Sequence, residues 1–265
     1  MFRREIHIII NRWQFWGTVI FMVCAVVLNH IITCLQYWGK GILFMRGAYR
    51  YIIINNVQTN ISVMVFTVLL PIISCLFASD IYWEEHNLGL TNLMYTRENR
   101  KDKIKCKALL VFLVTFSVIV MALLISLGLS LITFDARGHA GSNAIYLTLL
   151  EPEKDRVLGS LYEHHPYINA LIYIFARGVI AACFACFAFA VSTAFNASKY
   201  VVLVSSFVYN IIYVNVCDLI GEAYINTDIM ALNPYGSGWS VVVFIGFTFI
   251  LTVALLIVGV RRDSL

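Results

Sequence analysis

Apolar residues run nearly unbroken for about twenty positions at a time, and shorter polar breaks separate the runs. They fall at approximately Trp16 to Leu35, Asn60 to Ser79, Ala108 to Phe134, Tyr167 to Phe195, Tyr200 to Ile220 and Trp239 to Val260. About 20 apolar residues in a helix match the hydrocarbon core of a bilayer. The pattern therefore predicts six membrane-spanning helices. Ahead of the first run, Phe2, Ile6, Ile9, Ile10 and Trp13 share one helical face, with Arg4, His7 and Asn11 opposite. That spacing predicts an amphipathic helix over residues 1–15, lying flat in the membrane surface. The plainer alternative is a charged flank of the first span.

Composition agrees with this pattern. Hydrophobic residues make up 60% of the 265 positions and charged ones 13%, against about 25% charged in a soluble domain. The expected fold is an all-α integral membrane protein in which residues 1–265 form one transmembrane domain. An even number of spans puts both termini on one side, and the basic residues choose which. Arg3, Arg4, Arg12, the six from Arg97 to Lys107, Lys199, Arg261 and Arg262 outnumber those on the other side about two to one. The expected topology is a multi-pass protein of the cell (plasma) membrane with both termini cytoplasmic. Residues 135–166 then form the longest external loop. The net charge of +4 reads as an orientation signal, and no nucleic-acid partner is expected.

Two basic features need separate treatment. Lys40, Arg46 and Arg50 lie on the external side, and "GILFMRGAYRYIII" around them reads as an interfacial segment at the headgroups. Arg177 is expected to snorkel to the outer headgroups, with a buried contact to substrate as the alternative.

All seven cysteines fall inside or at the edges of apolar runs, so a disulfide framework is not expected. Cys183 and Cys186 have CxxC spacing within "GVIAACFACFAFAV". Such surroundings lack polar partners for a metal or redox site and favour small-residue helix packing. His164 and His165 are adjacent on a loop without a third ligand, so no metal site is assigned. The first apolar run is too long for a signal peptide, and "IITC" departs from a lipobox at Thr33. The N-terminus is expected to be retained.

Motifs for chemistry are few. No GxxxxGK[ST] phosphate loop, HExxH zinc motif or GxSxG elbow occurs in the sequence. Glu84 and Glu85 are similar to the glutamate pair of some intramembrane proteases, but Gly89 stands where that motif has arginine. No catalytic residues are expected.

Residues 80–107 hold roughly a third of all the charge in about a tenth of the chain. Their lysines satisfy the positive-inside rule and suit anionic lipid. Trp83, Leu90, Leu93 and Met94 also share one face of a short helix, which charge alone does not explain. At these residues the sequence resembles the permease subunits of ATP-binding-cassette exporters of the type-2 class. Their first cytoplasmic loop has a glutamate, a glycine four positions on, an apolar helix, a turn with arginine and a lysine opening the third span. Here those are Glu85, Gly89, Leu90 to Met94, Arg97 or Arg100, and Lys105 or Lys107. The order of elements along the chain is similar too, including the tight turn at "NASKY" and the polar "NPYGSG" before the last span.

The resemblance implies that a coupling helix, with Trp83, Glu85, Gly89, Leu90, Leu93, Met94, Arg97 and Arg100, docks in a separate nucleotide-binding ATPase subunit. ATP and magnesium would bind that partner, and this chain would hold no cofactor of its own. A second copy or a related permease chain would complete the unit, with membrane lipid around it. The sequence does not name the substrate: small peptides, amphipathic drugs and lipid-linked glycans are all compatible, and a peptide or drug is the preferred expectation. Ser206, Tyr209, Asn210 and Tyr213 form a polar stripe on the fifth span, read either as a substrate route or as hydrogen-bonding glue between helices. Asn29 and His30 invite the same two readings. An intramembrane protease and a non-transporting immunity or sensor protein remain the other functional classes.

Overall fold

The computed structural model describes residues 2–39, 47–53, 60–77, 81–83, 100–136, 161, 164–195, 198–220 and 239–262. Among them every regular element is helical. The helices are α1 (Phe2–Ile10), α2 (Trp13–Tyr37), α3 (Asn60–Leu76), α4 (Arg100–Thr133), α5 (Pro166–Phe195), α6 (Lys199–Ile220) and α7 (Trp239–Arg262), with one 3-10 turn at Ala48–Arg50. Five of these, α2 and α4 to α7, are long and apolar enough to cross a membrane. The remaining predicted span is helical over the 17 residues of α3, about 26 Å at 1.5 Å per residue, and residues 78–80 lie outside the described set.

Side-chain exposure along α2 fits a bilayer. Trp13 and Trp16 at its start and Trp38 just past its end are 88%, 50% and 82% exposed. The 25 residues of α2 set these tryptophans about 38 Å apart, close to the span between the two interfaces where tryptophan collects. Ile20, Phe21, Leu28 and Ile31 between them are also exposed. These side chains meet lipid without cost. The helix stops where Gly39 takes a φ of 77°, a left-handed conformation that glycine adopts freely.

α5 is the hub. Buried residues make up 78% of its most apolar stretch, against 17% to 39% in the other four long helices, and it packs on α3, α4, α6 and α7. Its alanines, serine and threonine let neighbouring backbones come close, the arrangement that holds helices together where lipid removes the hydrophobic drive. Two glycines mark the tightest approaches. A Cβ on Gly178 would lie 2.5 Å from Val120 Cγ2 of α4, and one on Gly259 of α7 would lie 2.9 Å from the Thr193 carbonyl oxygen of α5. Cys183 and Cys186 are free thiols at this centre, and the Cys186 Sγ reaches the Ala108 carbonyl at 3.5 Å.

Two expectations change. The part of the 41–54 segment that is described is packed against the helices and not laid open at the surface. Ala48, Tyr51, Ile52 and Ile53 are buried, the Ala48 amide donates to the Asp135 carbonyl at 3.0 Å, and the Ile53 amide donates to Ser126 Oγ at 3.1 Å. Ser126 sits about two turns inside α4, so the segment dips into the bundle. The driving force is aromatic: Tyr51 stacks on Phe134 at a centroid distance of 4.0 Å, with Tyr37 edge-on at 5.1 Å. The amphipathic N-terminal helix is also more than a surface float. Ile9 is buried and Ile6 packs on the core, whereas Ile10 and Trp13 stay exposed. The chain breaks at Arg12, which takes an extended conformation, so α1 and α2 are separate helices.

Candidate functional site

The end of the molecule where α1 meets α4 carries the clearest buried charge. Glu5, Lys103 and Lys107 are 4%, 3% and 3% exposed, and Lys107 Nζ lies 3.9 Å from Glu5 Oε2. α1 is too short to hold position through helix propensity alone. Ile9 and this ion pair fasten it to the first turns of α4, the turns into which the charged 80–107 segment leads. The Glu5 carboxylate beside Lys107 compensates that positive charge away from water, the condition under which buried charge is tolerated.

Of the residues assigned to ATPase coupling, Trp83 and Arg100 are within the described set. Trp83 is half-buried at the end of a short helical stretch at 81–83, and Arg100 opens α4. Just before Trp83, Tyr82 is buried with its ring edge-on to Phe189 at 6.5 Å, so the segment leaves the bundle from a fixed point on α5. Glu85, Gly89, Leu90, Leu93, Met94 and Arg97 lie outside the described residues, as do Glu84 and most of the 135–166 loop.

The stripe on α6 points largely into the bundle. Ser206 is fully buried, and its hydroxyl donates to the Phe184 carbonyl of α5 at 2.7 Å. The Cys75 thiol of α3 reaches the same carbonyl at 3.9 Å, so three helices converge there. Tyr209 OH lies 2.8 Å from Thr248 Oγ1 of α7, and its ring stacks on Phe187 at 4.5 Å. Tyr213 is 8% exposed and meets Phe244 edge-on at 5.1 Å. Asn210 is half-buried beside them. The structure thus brings Ser206, Tyr209 and Tyr213 together with α5 and α7, and the hydroxyls of Ser206 and Tyr209 pair from helix to helix.

At the opposite end from Lys107, α2 presents a second polar cluster to α4. Asn29, His30 and Thr33 are buried. His30 Nε2 lies 3.3 Å from Thr133 Oγ1 and 3.5 Å from Cys34 Sγ, with the ring edge-on to Phe134 at 6.2 Å. On the same face of α4 as Thr133, Ser130 Oγ donates to the Ser126 carbonyl at 2.9 Å, and Ser126 Oγ accepts from the Ile53 amide. Sequence reading singled out Asn29 and His30 but not the hydroxyls of α4, although Ser126, Ser130 and Thr133 recur at the i, i+4, i+7 spacing of one helical face. Arg177 does not reach the headgroups: it is 3% exposed, held on the inward side of α5 by the same packing that buries Ile174 and Ala181. His164 and His165 are exposed, and no group of three possible metal ligands occurs among the described residues.

No protein-family model, curated protein or solved structure matches the chain.

Proposed function

We propose that the chain is the six-span permease subunit of an ATP-binding-cassette exporter, with both termini cytoplasmic and the 80–107 segment docking on a separate ATPase. The observation that carries this reading is the buried Glu5 and Lys107 contact between α1 and the base of α4. A charged segment that drives a membrane domain needs a stiff attachment at its exit, and this ion pair with Ile9 supplies one. Tyr82, edge-on to Phe189, anchors the entry to α5. The apolar side of the segment, Leu90, Leu93 and Met94, then fits a groove on the partner, with Glu85, Arg97 and Arg100 around it. Lack of a GxxxxGK[ST] motif in the sequence assigns ATP and magnesium to that partner. The second permease chain lies across the substrate route, for which the least buried residue of the α6 stripe, Asn210, is the first contact to test. A peptide or amphipathic drug suits so apolar a domain.

The test is affinity capture of this chain after expression in its native host, with ATP-binding-cassette ATPase subunits sought among the co-purifying proteins. Leu90→Asp with Met94→Asp puts two charges into an apolar groove without counter-ions and releases the ATPase. Capture at unchanged affinity refutes the docking assignment.

A further inference from the structure

The outward side of α6 carries a groove that helix packing leaves open. Phe187 of α5 and Tyr209 form its floor, and Val201, Val204, Val208 and Ile212 its walls, with a volume of about 590 Å³. The wall residues recur at helical spacing and are 45% to 57% exposed. Apart from the exposed Tyr200 hydroxyl at one end, the polar groups of the lining are satisfied within the protein: Ser205 Oγ donates to the Val202 carbonyl at 2.7 Å, and Tyr209 OH pairs with Thr248. From Val201 to Ile212 the groove therefore offers methyl groups and ring faces, with no hydrogen bond for a ligand. A polar solute gains nothing there, whereas a hydrocarbon chain loses nothing.

Its length is informative. From Tyr200 to Ile212 the lining covers 12 helical steps, about 18 Å, close to one leaflet of a hydrocarbon core that is roughly 30 Å thick. At one end stand Tyr200, 79% exposed, and Lys199, half-buried in the first turn of α6. A phenol and an ammonium at that depth lie at headgroup level. A groove one leaflet long, apolar throughout and cationic at its headgroup end is complementary to a lipid with a negatively charged head.

We propose that α6 holds one anionic glycerophospholipid, with an acyl chain between Val201 and Ile212 and the phosphate beside Lys199. The site requires that α6 crosses the bilayer and is independent of whether the chain transports anything. Native mass spectrometry of the full-length protein, released from detergent with phosphatidylglycerol or phosphatidylcholine of identical chains, reads it directly. Phosphatidylglycerol is retained about fivefold more tightly, the factor that one basic residue near an anionic headgroup supplies. Lys199→Gln brings the two lipids level. Val208→Trp fills the groove and removes the retained lipid. Val258→Trp, a control at an exposed α7 position, leaves retention unchanged, and thermal unfolding of each variant separates lost binding from lost folding. Equal retention of the two lipids by the unaltered protein, or retention unaffected by Val208→Trp, overturns the site. So does a lipid-free dimer that Val208→Trp dissociates, because the groove then belongs to a second copy.

Discussion

Replacing Gly259 with alanine probes the hub helix at the place where it has least room to adjust. The new Cβ would lie 2.9 Å from the Thr193 carbonyl oxygen, 3.0 Å from its carbon and 3.0 Å from its Oγ1. Ordinary contact begins near 3.4 Å, so α7 must withdraw from α5 by about half an ångström, and two of the three obstacles are backbone. Overpacking of this kind costs typically 1–3 kcal/mol, while alanine recovers at most about 1 kcal/mol of glycine's helix penalty. The expected net loss is about 1–2 kcal/mol. Gly246→Ala, in the same helix with nothing within 4 Å, carries the propensity gain without the clash and is neutral or slightly stabilising. Reversible unfolding of both variants in mixed micelles, followed by circular dichroism, compares them under one set of conditions. If Gly259→Ala unfolds no earlier than the unaltered protein, or both alanines destabilise equally, the close approach of α5 and α7 is refuted.

Other predictions use the same kind of measurement. Glu5→Gln leaves Lys107 buried without its carboxylate and destabilises the α1 and α4 junction by about 3 kcal/mol, whereas Glu5→Leu with Lys107→Leu restores much of the loss; an additive double variant refutes the pairing. Tyr209→Phe and Thr248→Ala are coupled by about 0.6 kcal/mol in a double-mutant cycle, and zero coupling removes that hydrogen bond from the account. Asn210→Leu with Tyr213→Leu lowers export per folded molecule if the stripe borders the route, and normal export with lower thermal stability restricts it to helix glue. Tyr51→Ala vacates the stack with Phe134 and costs about 3–5 kcal/mol, read as earlier loss of near-ultraviolet ellipticity; an unchanged transition shows that the 47–53 segment is not packed in the bundle.

Runs of apolar residues were legible because a membrane-crossing helix must carry them whatever it packs against, and the five long helices follow those runs to within a few residues at most ends. α4 is the exception: it begins at Arg100, with Lys103 and Lys107 of its first turns buried, and hydropathy has no sign for that. Hydropathy also misplaces the 47–53 segment and Arg177. Both look amphipathic and interfacial from composition, but partners distant in sequence, Phe134 and Ser126 for the first and the packed face of α5 for the second, draw them inward. Pairing of Glu5 with Lys107 joins residues a hundred positions apart and has no local signature. The stripe on α6 was visible as a period, yet a period cannot say whether its hydroxyls meet water or Phe184 and Thr248.

ATP turnover by the purified protein, alone and in complex with its ATPase in proteoliposomes, bears most directly on the exporter reading. The chain alone is expected to hydrolyse no ATP. The complex hydrolyses it, and Leu90→Asp with Met94→Asp abolishes both capture and the turnover of the captured complex while α-helical content stays unchanged. ATP hydrolysis by the chain alone contradicts the account, as does cleavage of membrane peptides that disappears with Glu84→Gln and Glu85→Gln and needs no ATPase.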